Sequence, residues 1–161
     1  MQVMIDTNVL ARFADQDSVQ HGEAVDSLRQ LQAAGHLPVF NPQIKREFLD
    51  VAERPKGTGP GRNGLGLSNQ QTCELIAQFQ DVFGYLADVP AVDEQFDRLH
   101  GKYGGGKSVH DLNIVASMLA HGVTSLLTFN DKHFRHLEAE GISVQTPQQY
   151  VAADQQTESG D

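Results

Sequence analysis

The sequence holds one cysteine, Cys73, and no tryptophan. A lone cysteine excludes an internal disulfide and fits a reducing compartment, so the chain is expected to be cytoplasmic. Cys73 falls in a helix-like stretch and reads as a small core filler. No apolar run approaches the length of a membrane span. The N-terminus lacks the basic region and apolar block of a secretory leader. Positive charge is scarce, with 12 Lys and Arg against 21 Asp and Glu and a net charge of −9. That balance argues against a simple nucleic-acid-binding module, which usually carries a basic excess. It leaves room for a metal-dependent nuclease, because carboxylates that gather a cation count as negative until it arrives. The remainder, 161 residues at 39% hydrophobic and 20% charged, is enough for one soluble domain with a sizeable core.

The chain opens on Val3-Met4-Ile5, an apolar run without alternation, which reads as a strand buried on both faces. Asp6 then stands at the strand's carboxyl end, where open α/β sheets bind ligands. The plainer alternative is that Asp6 caps a following short helix. Periodicity predicts a helix over 18–34, a strand at 37–40 and a helix opening on Asn41-Pro42 and ending near Glu53. Arg54 to Ser68 is rich in Gly and Pro and is expected to be a flexible loop. A helix over 69–83, a short third strand at 86–89 and a helical turn or two at 93–100 follow, then a Gly-rich stretch at 101–106. Ser108 opens the most strongly patterned helix. A strand at 125–129, a helix over 131–140 and a last strand at 142–144 complete the pattern. Alternating strands and helices predict a three-layer α/β/α sandwich with a mainly parallel sheet over residues 1–151. The polar tail, 152–161, is expected to be disordered.

Acids recur at matching places. Glu47 borders the Ile44, Phe48, Val51 stripe of its helix, where a carboxylate needs a partner, a metal or a proton. Pairing with Lys45 or Arg46 would be the plain structural explanation. Asp111 lies four before Val115 on an inward face. The pattern Ser108-Val109-His110-Asp111 is also a capping box, which would use the Asp at the helix start. Asn130-Asp131 follows a second apolar strand, where turn and cap chemistry is the plain alternative. In a parallel sheet these groups can converge at one edge. Close carboxylates raise one another's pKa unless a cation compensates. An all-oxygen site suits Mg²⁺ or Mn²⁺, and such ions activate water for phosphodiester hydrolysis.

The ordered set Ile5-Asp6-Thr7-Asn8, helical Glu47, His110-Asp111 opening a helix, and Leu127-Thr128-Phe129-Asn130-Asp131-Lys132-His133-Phe134 resembles the PIN domain, particularly the VapC-type toxin ribonucleases. The resemblance runs from Met1 to Val144. It implies metal-binding and catalytic acids at Asp6, Glu47 and Asp111, with Thr7, Asn8 and Thr128 as polar supports. The family's fourth position falls on Asn130 in the Thr128-x-Asn130 register, or on Asp131 counted back from Phe134. The resemblance further implies a Mg²⁺- or Mn²⁺-dependent ribonuclease, an RNA substrate, a small antitoxin partner and a homodimer. The chain departs from the pattern in its long 54–68 loop and its acidity. Lys45, Arg46, Lys56, Arg62, Lys102 and Lys107 are candidate phosphate contacts.

Competing patterns are present. Gly101-Lys102-Tyr103-Gly104-Gly105-Gly106-Lys107-Ser108 satisfies the G-x-x-x-x-G-K-S text of a phosphate-cradling loop, which needs a buried strand before it and a helix after it. The charged, helically spaced 93–100 segment is a poor strand. His133 and His136 could be drawn into a zinc site, but no Cys pair accompanies them. His110 could assist acid–base work. No G-x-S-x-G elbow is present. A PIN-like domain that only binds RNA or protein is the third reading.

Overall fold

A computed structural model describes residues 1–57, 59, 63–104 and 109–158, the last without the side chains of 154–158. Five strands, β1 (Gln2–Ile5), β2 (Leu37–Phe40), β3 (Gly84–Tyr85), β4 (Ser125–Leu127) and β5 (Ser143–Gln145), form one sheet in the order β3-β2-β1-β4-β5. Every pairing is parallel, with Met4 beside Val39 on one flank and Leu126 on the other. Val3, Met4 and Ile5 are almost wholly buried, as an uninterrupted apolar strand between two helical layers requires. The order reverses at β1. The crevice beyond the carboxyl ends of β1 and β4 is therefore the topological switch point.

The helices are α1 (Thr7–Ala14), α2 (His21–Ala33), α3 (Pro42–Glu53), α4 (Asn69–Val82), α5 (Pro90–Tyr103), α6 (Val109–Ala120), α7 (Asp131–Phe134) and α8 (Pro147–Glu158), with a 3₁₀ turn over Arg135–Glu140. Asn41 caps α3 by accepting the Ile44 amide, and Pro42 sits in its first turn. Ser68 and Gln71 close a reciprocal capping box on α4. Phe48, Phe79 and Phe83 stack or meet edge to face in the core, and Phe13 tilts against Phe79.

The structure departs from the sequence reading in definite places. The expected 18–34 helix is confined to α2. The third strand is Gly84–Tyr85 rather than 86–89, with Gly84 beside Val39 of β2. A Cβ at Gly84 would lie 2.9 Å from Val39 Cγ1 and 3.1 Å from Leu37 Cδ2. Cys73 is exposed, not a core filler. The buried face of α4 is Thr72, Ile76 and Phe79, and Cys73 is turned about 100° from Thr72. The described part of the 54–68 loop is tied down. Amides of Gly64, Leu65, Gly66 and Leu67 donate to carbonyls of Pro55, Val51, Arg54 and Ala52, and Leu65 and Leu67 pack on the core. The tail, expected to be disordered from Ala152, continues α8 as far as Glu158, and 159–161 lie outside the described residues. Alanine and glutamine favour the helix there.

The phosphate-loop text lacks its context, for α5 runs through Gly101 to Tyr103 where a strand is needed. Residues 105–108 of that pattern, including Lys107 and the cap expected at Ser108, lie outside the described residues. No helix among the described residues is long and apolar enough to cross a membrane.

Candidate active site

β1 delivers Asp6 to the switch point, and the Asp6 amide donates to the Leu127 carbonyl of β4 at 3.0 Å. The residue serves in both ways the sequence left open. It caps α1, its Oδ1 accepting the Thr7 amide at 2.7 Å, and it is 7% exposed in a cleft. Its Oδ2 accepts the Thr128 hydroxyl at 2.6 Å and the Asn8 side-chain amide at 3.0 Å. Asn8 also donates to Thr128 Oγ1 at 3.1 Å and accepts the Phe129 amide at 3.0 Å. Thr128 Oγ1 receives the Asn130 amide as well. Thr7, Asn8 and Thr128 are thus hydrogen-bonded to the acids.

Glu47 reaches the same cleft from α3. Its partners are neutral: Oε2 accepts the Thr7 hydroxyl at 2.7 Å and Oε1 accepts the Gln43 amide at 2.8 Å. Neither Lys45 nor Arg46 pairs with it. Asp111 enters from the first turn of α6, half-buried, with His133 Nδ1 at 3.8 Å from its Oδ2. Asn130 is exposed on the cleft rim. Asp131 does not line the cleft. Its carboxylate takes the Arg135 guanidinium at 3.0 and 3.2 Å. Of the two candidates for the fourth position, the structure brings Asn130 to the site and turns Asp131 away.

The cleft holds about 350 Å³ and is lined by Asp6, Glu47, Asp111, Asn130 and His133, with Arg12 at its wall. Arg54 and Asn63 of the 54–68 loop also line it, a contribution sequence reasoning did not assign. A larger groove of about 600 Å³ between α1, α2 and α4 is walled largely by apolar side chains, and no carboxylate lines it. The chemistry belongs to the smaller, acidic cleft.

Its electrostatics are those of gathered, uncompensated acids. Burial pushes the Asp6 carboxyl up from 3.8 to about 6. Hydrogen bonds from Thr128 and the Thr7 amide oppose the rise, and the charges of Glu47 and Asp111 add to it. Asp111 is raised too, by burial first, with His133 opposing and Glu47 adding. No Lys or Arg among the described residues is ion-paired to any of the three. Three carboxylates with uncompensated charge are a donor set suited to a hard divalent cation. As they stand, no group of three or more His, Cys, Asp or Glu side chains among the described residues is gathered closely enough to hold an ion.

The two histidines suggested for zinc diverge. His133 faces Asp111, whereas His136 meets the Tyr103 ring edge-on. Of the candidate phosphate contacts, Lys56 is paired with Asp15 and Asp17, and Lys102 with Glu140. Lys45 lies over the Tyr85 ring. Arg46 lines a pocket with Gln43, Glu47, Asp50 and His110, adjoining the cleft across Glu47. Arg62 and Lys107 lie outside the described residues.

A parallel five-stranded sandwich with acids from β1, α3 and α6 at its switch point defines the class. The chain belongs to the PIN-domain family, whose profile matches residues 3–140. Three solved structures share the fold at low identity. The first, VapBC2 from Rickettsia felis bound to a DNA fragment from its promoter, has a TM-score of 0.67 and 15% identity, covering 91% of this chain and 98% of that one. VapBC-1 from nontypeable Haemophilus influenzae has a TM-score of 0.65 and 16% identity, covering 92% and 99%. Mycobacterium tuberculosis VapC20, a toxin that cleaves the sarcin–ricin loop, has a TM-score of 0.61 and 14% identity, covering 88% and 96%. No curated protein sequence matches the chain.

Proposed function

We propose that this PIN domain is a Mg²⁺- or Mn²⁺-dependent endoribonuclease and the toxin of a toxin–antitoxin pair, restrained by a small inhibitory protein and acting as a homodimer. The observation that carries the chemistry is the approach of Asp6, Glu47 and Asp111 to one cleft, the first two held by neutral donors and none ion-paired with a Lys or Arg among the described residues. These three would hold the metal, with Asn130 completing the site directly or through water. Bound there, the ion supplies Lewis acidity toward phosphate and a water made nucleophilic at neutral pH.

The chain's own residues do the rest. Thr128, Asn8 and the Thr7 amide fix the Asp6 carboxylate, and Thr7 and Gln43 fix that of Glu47. Arg46, beside Glu47, and Arg12, whose Nε is given to the neutral Gln20, keep positive charge near the acids for the flanking phosphates. Two of the similar structures are VapBC assemblies and one is a toxin that cleaves the sarcin–ricin loop, which supports this biological setting.

Incubating a mixed small-RNA pool with the protein in Mn²⁺, Mg²⁺ or EDTA, beside Asp111→Asn, tests the reading. Cleavage that needs the metal and disappears in the variant is expected. Cleavage that survives EDTA, or is equal in the variant, would overturn it. If the wild type binds RNA but cleaves none of it in either metal, the domain is a binding protein on this scaffold. The Asn at the fourth position is the feature that favours that second reading.

A further inference from the structure

Gln43 was not singled out from the sequence, yet it is the most connected side chain around Glu47. It is 7% exposed on α3, one turn before Glu47. Its Nε2 donates to Glu47 Oε1 at 2.8 Å and to the His110 carbonyl at 2.9 Å. Its Oε1 accepts the Asn113 amide at 2.6 Å. Both neighbours of Nε2 can only accept, so the amide has one permitted orientation, and both its hydrogens are used. The bonds join α3, which carries Glu47, to the first turns of α6, which carries Asp111.

We infer that Gln43 is a positioning residue, setting the rotamer of Glu47 and the separation of the α3 and α6 carboxylates. The inference rests on the metal-dependent reading above. The residue type follows from the geometry. A Glu at 43 would bring its own charge against Glu47. A Lys or Arg would neutralise Glu47 and compete with a cation. A Met would fill the space but leave Glu47 Oε1 without its α3 donor. A neutral, doubly donating amide of this length holds the carboxylate in place and leaves its charge free. Partners that orient metal-binding side chains are typically worth ten- to a hundredfold in metal affinity or activity.

The test is Mn²⁺ titration calorimetry on the purified chain, with kcat and KM for RNA cleavage measured in parallel. Wild type is compared with Gln43→Met, Asn113→Ala and Glu47→Gln. Gln43→Met is expected to raise the Mn²⁺ Kd by about ten- to a hundredfold and to lower kcat, with KM for RNA little changed. Asn113→Ala, which removes only the outer bond, shifts both the same way by less. A purely structural role would lower Tm and leave Mn²⁺ affinity alone. A folded Gln43→Met with wild-type Mn²⁺ affinity overturns the inference, as does unchanged affinity in Asn113→Ala if the Met variant does not fold. The Glu47→Gln arm separates the two levels of the argument. If it weakens Mn²⁺ binding while Gln43→Met does not, positioning alone falls. If wild type takes up no Mn²⁺, the metal reading falls and the inference with it.

Discussion

Replacing Asp6 by Asn is expected to stabilise the fold at neutral pH and destabilise it in acid. The Asp6 carboxyl sits at about 6 rather than 3.8, chiefly because it is buried. A carboxyl whose pKa is raised by folding binds its proton more tightly in the folded chain. Its contribution to stability is therefore greatest below about 3.8, declines as pH rises to about 6, and is level above that. The span corresponds to about 3 kcal/mol. Asn removes this penalty, but its NH₂ would face the Asn8 amide, also a donor, at the position of Oδ2. That mismatch costs about 1–2 kcal/mol at any pH. The variant should thus be about 1–2 kcal/mol more stable than wild type at pH 7.5 and less stable by a similar amount at pH 4. Relief of repulsion on Glu47 and Asp111 works in the same direction as the neutral-pH gain. Urea unfolding followed by far-UV circular dichroism, in EDTA, reads both differences. A difference of the same size and sign at the two pH values would refute the electrostatic reasoning. Adding Mn²⁺ at pH 7.5 should then stabilise wild type and leave Asp6→Asn where it was.

Two further pairs of measurements probe the surroundings. Asn130→Ala is expected to lower the cleavage rate about tenfold or more, whereas Asp131→Asn, which releases Arg135, costs about 1 kcal/mol of stability and shows in Tm rather than in turnover. The reverse pattern would return the fourth position to Asp131. Glu140 is held down to about 2 by Lys102, Tyr103 and Arg98, so its stabilisation is full above its ordinary 4.5 and is lost as pH falls toward 2. Because Arg98 and Lys102 are half-exposed, Glu140→Gln should cost about 1–2 kcal/mol at pH 7 rather than the full value of the shift. The deficit should shrink by pH 2.5 in thermal unfolding, and a deficit independent of pH would count against the assigned ion pairs.

The parallel sandwich was legible because its signals are local and long enough to repeat. An unbroken apolar β1, the Asn-Pro opening of α3 and the inward stripe of α6 each declare themselves within a few residues. Asp6, Glu47 and Asp111 could be picked out because each borders such an element, and their order matched a family. The failures share a cause in neighbours distant along the chain. Gly84, a poor strand former by itself, joins the sheet through its pairing with Val39, where the Val39 and Leu37 side chains crowd the place of a Cβ. Asn130 and Asp131 are adjacent in the text and were separated only by Arg135, which claims one of them. Gln43 reads as an ordinary helix residue, since its meaning lies in His110 and Asn113 nearly seventy positions on.

The central place of β1 bears on how such a chain comes into being. Asp6 follows the N-terminal strand of the sheet, but the groups that hold it come from far along the chain. The Leu127 carbonyl accepts its amide, and the Thr128 hydroxyl donates to its carboxylate. Thr128 lies 122 positions after Asp6. Until β4 docks, the first acid has neither its second strand neighbour nor its hydroxyl donor. The last of the three acids, on α6, also arrives late. The acidic cleft is thus completed only when α6 and β4 join the strands that precede them, and a chain cut before those elements would lack it. The order of the strands makes the cleft one of the last features of this fold to close.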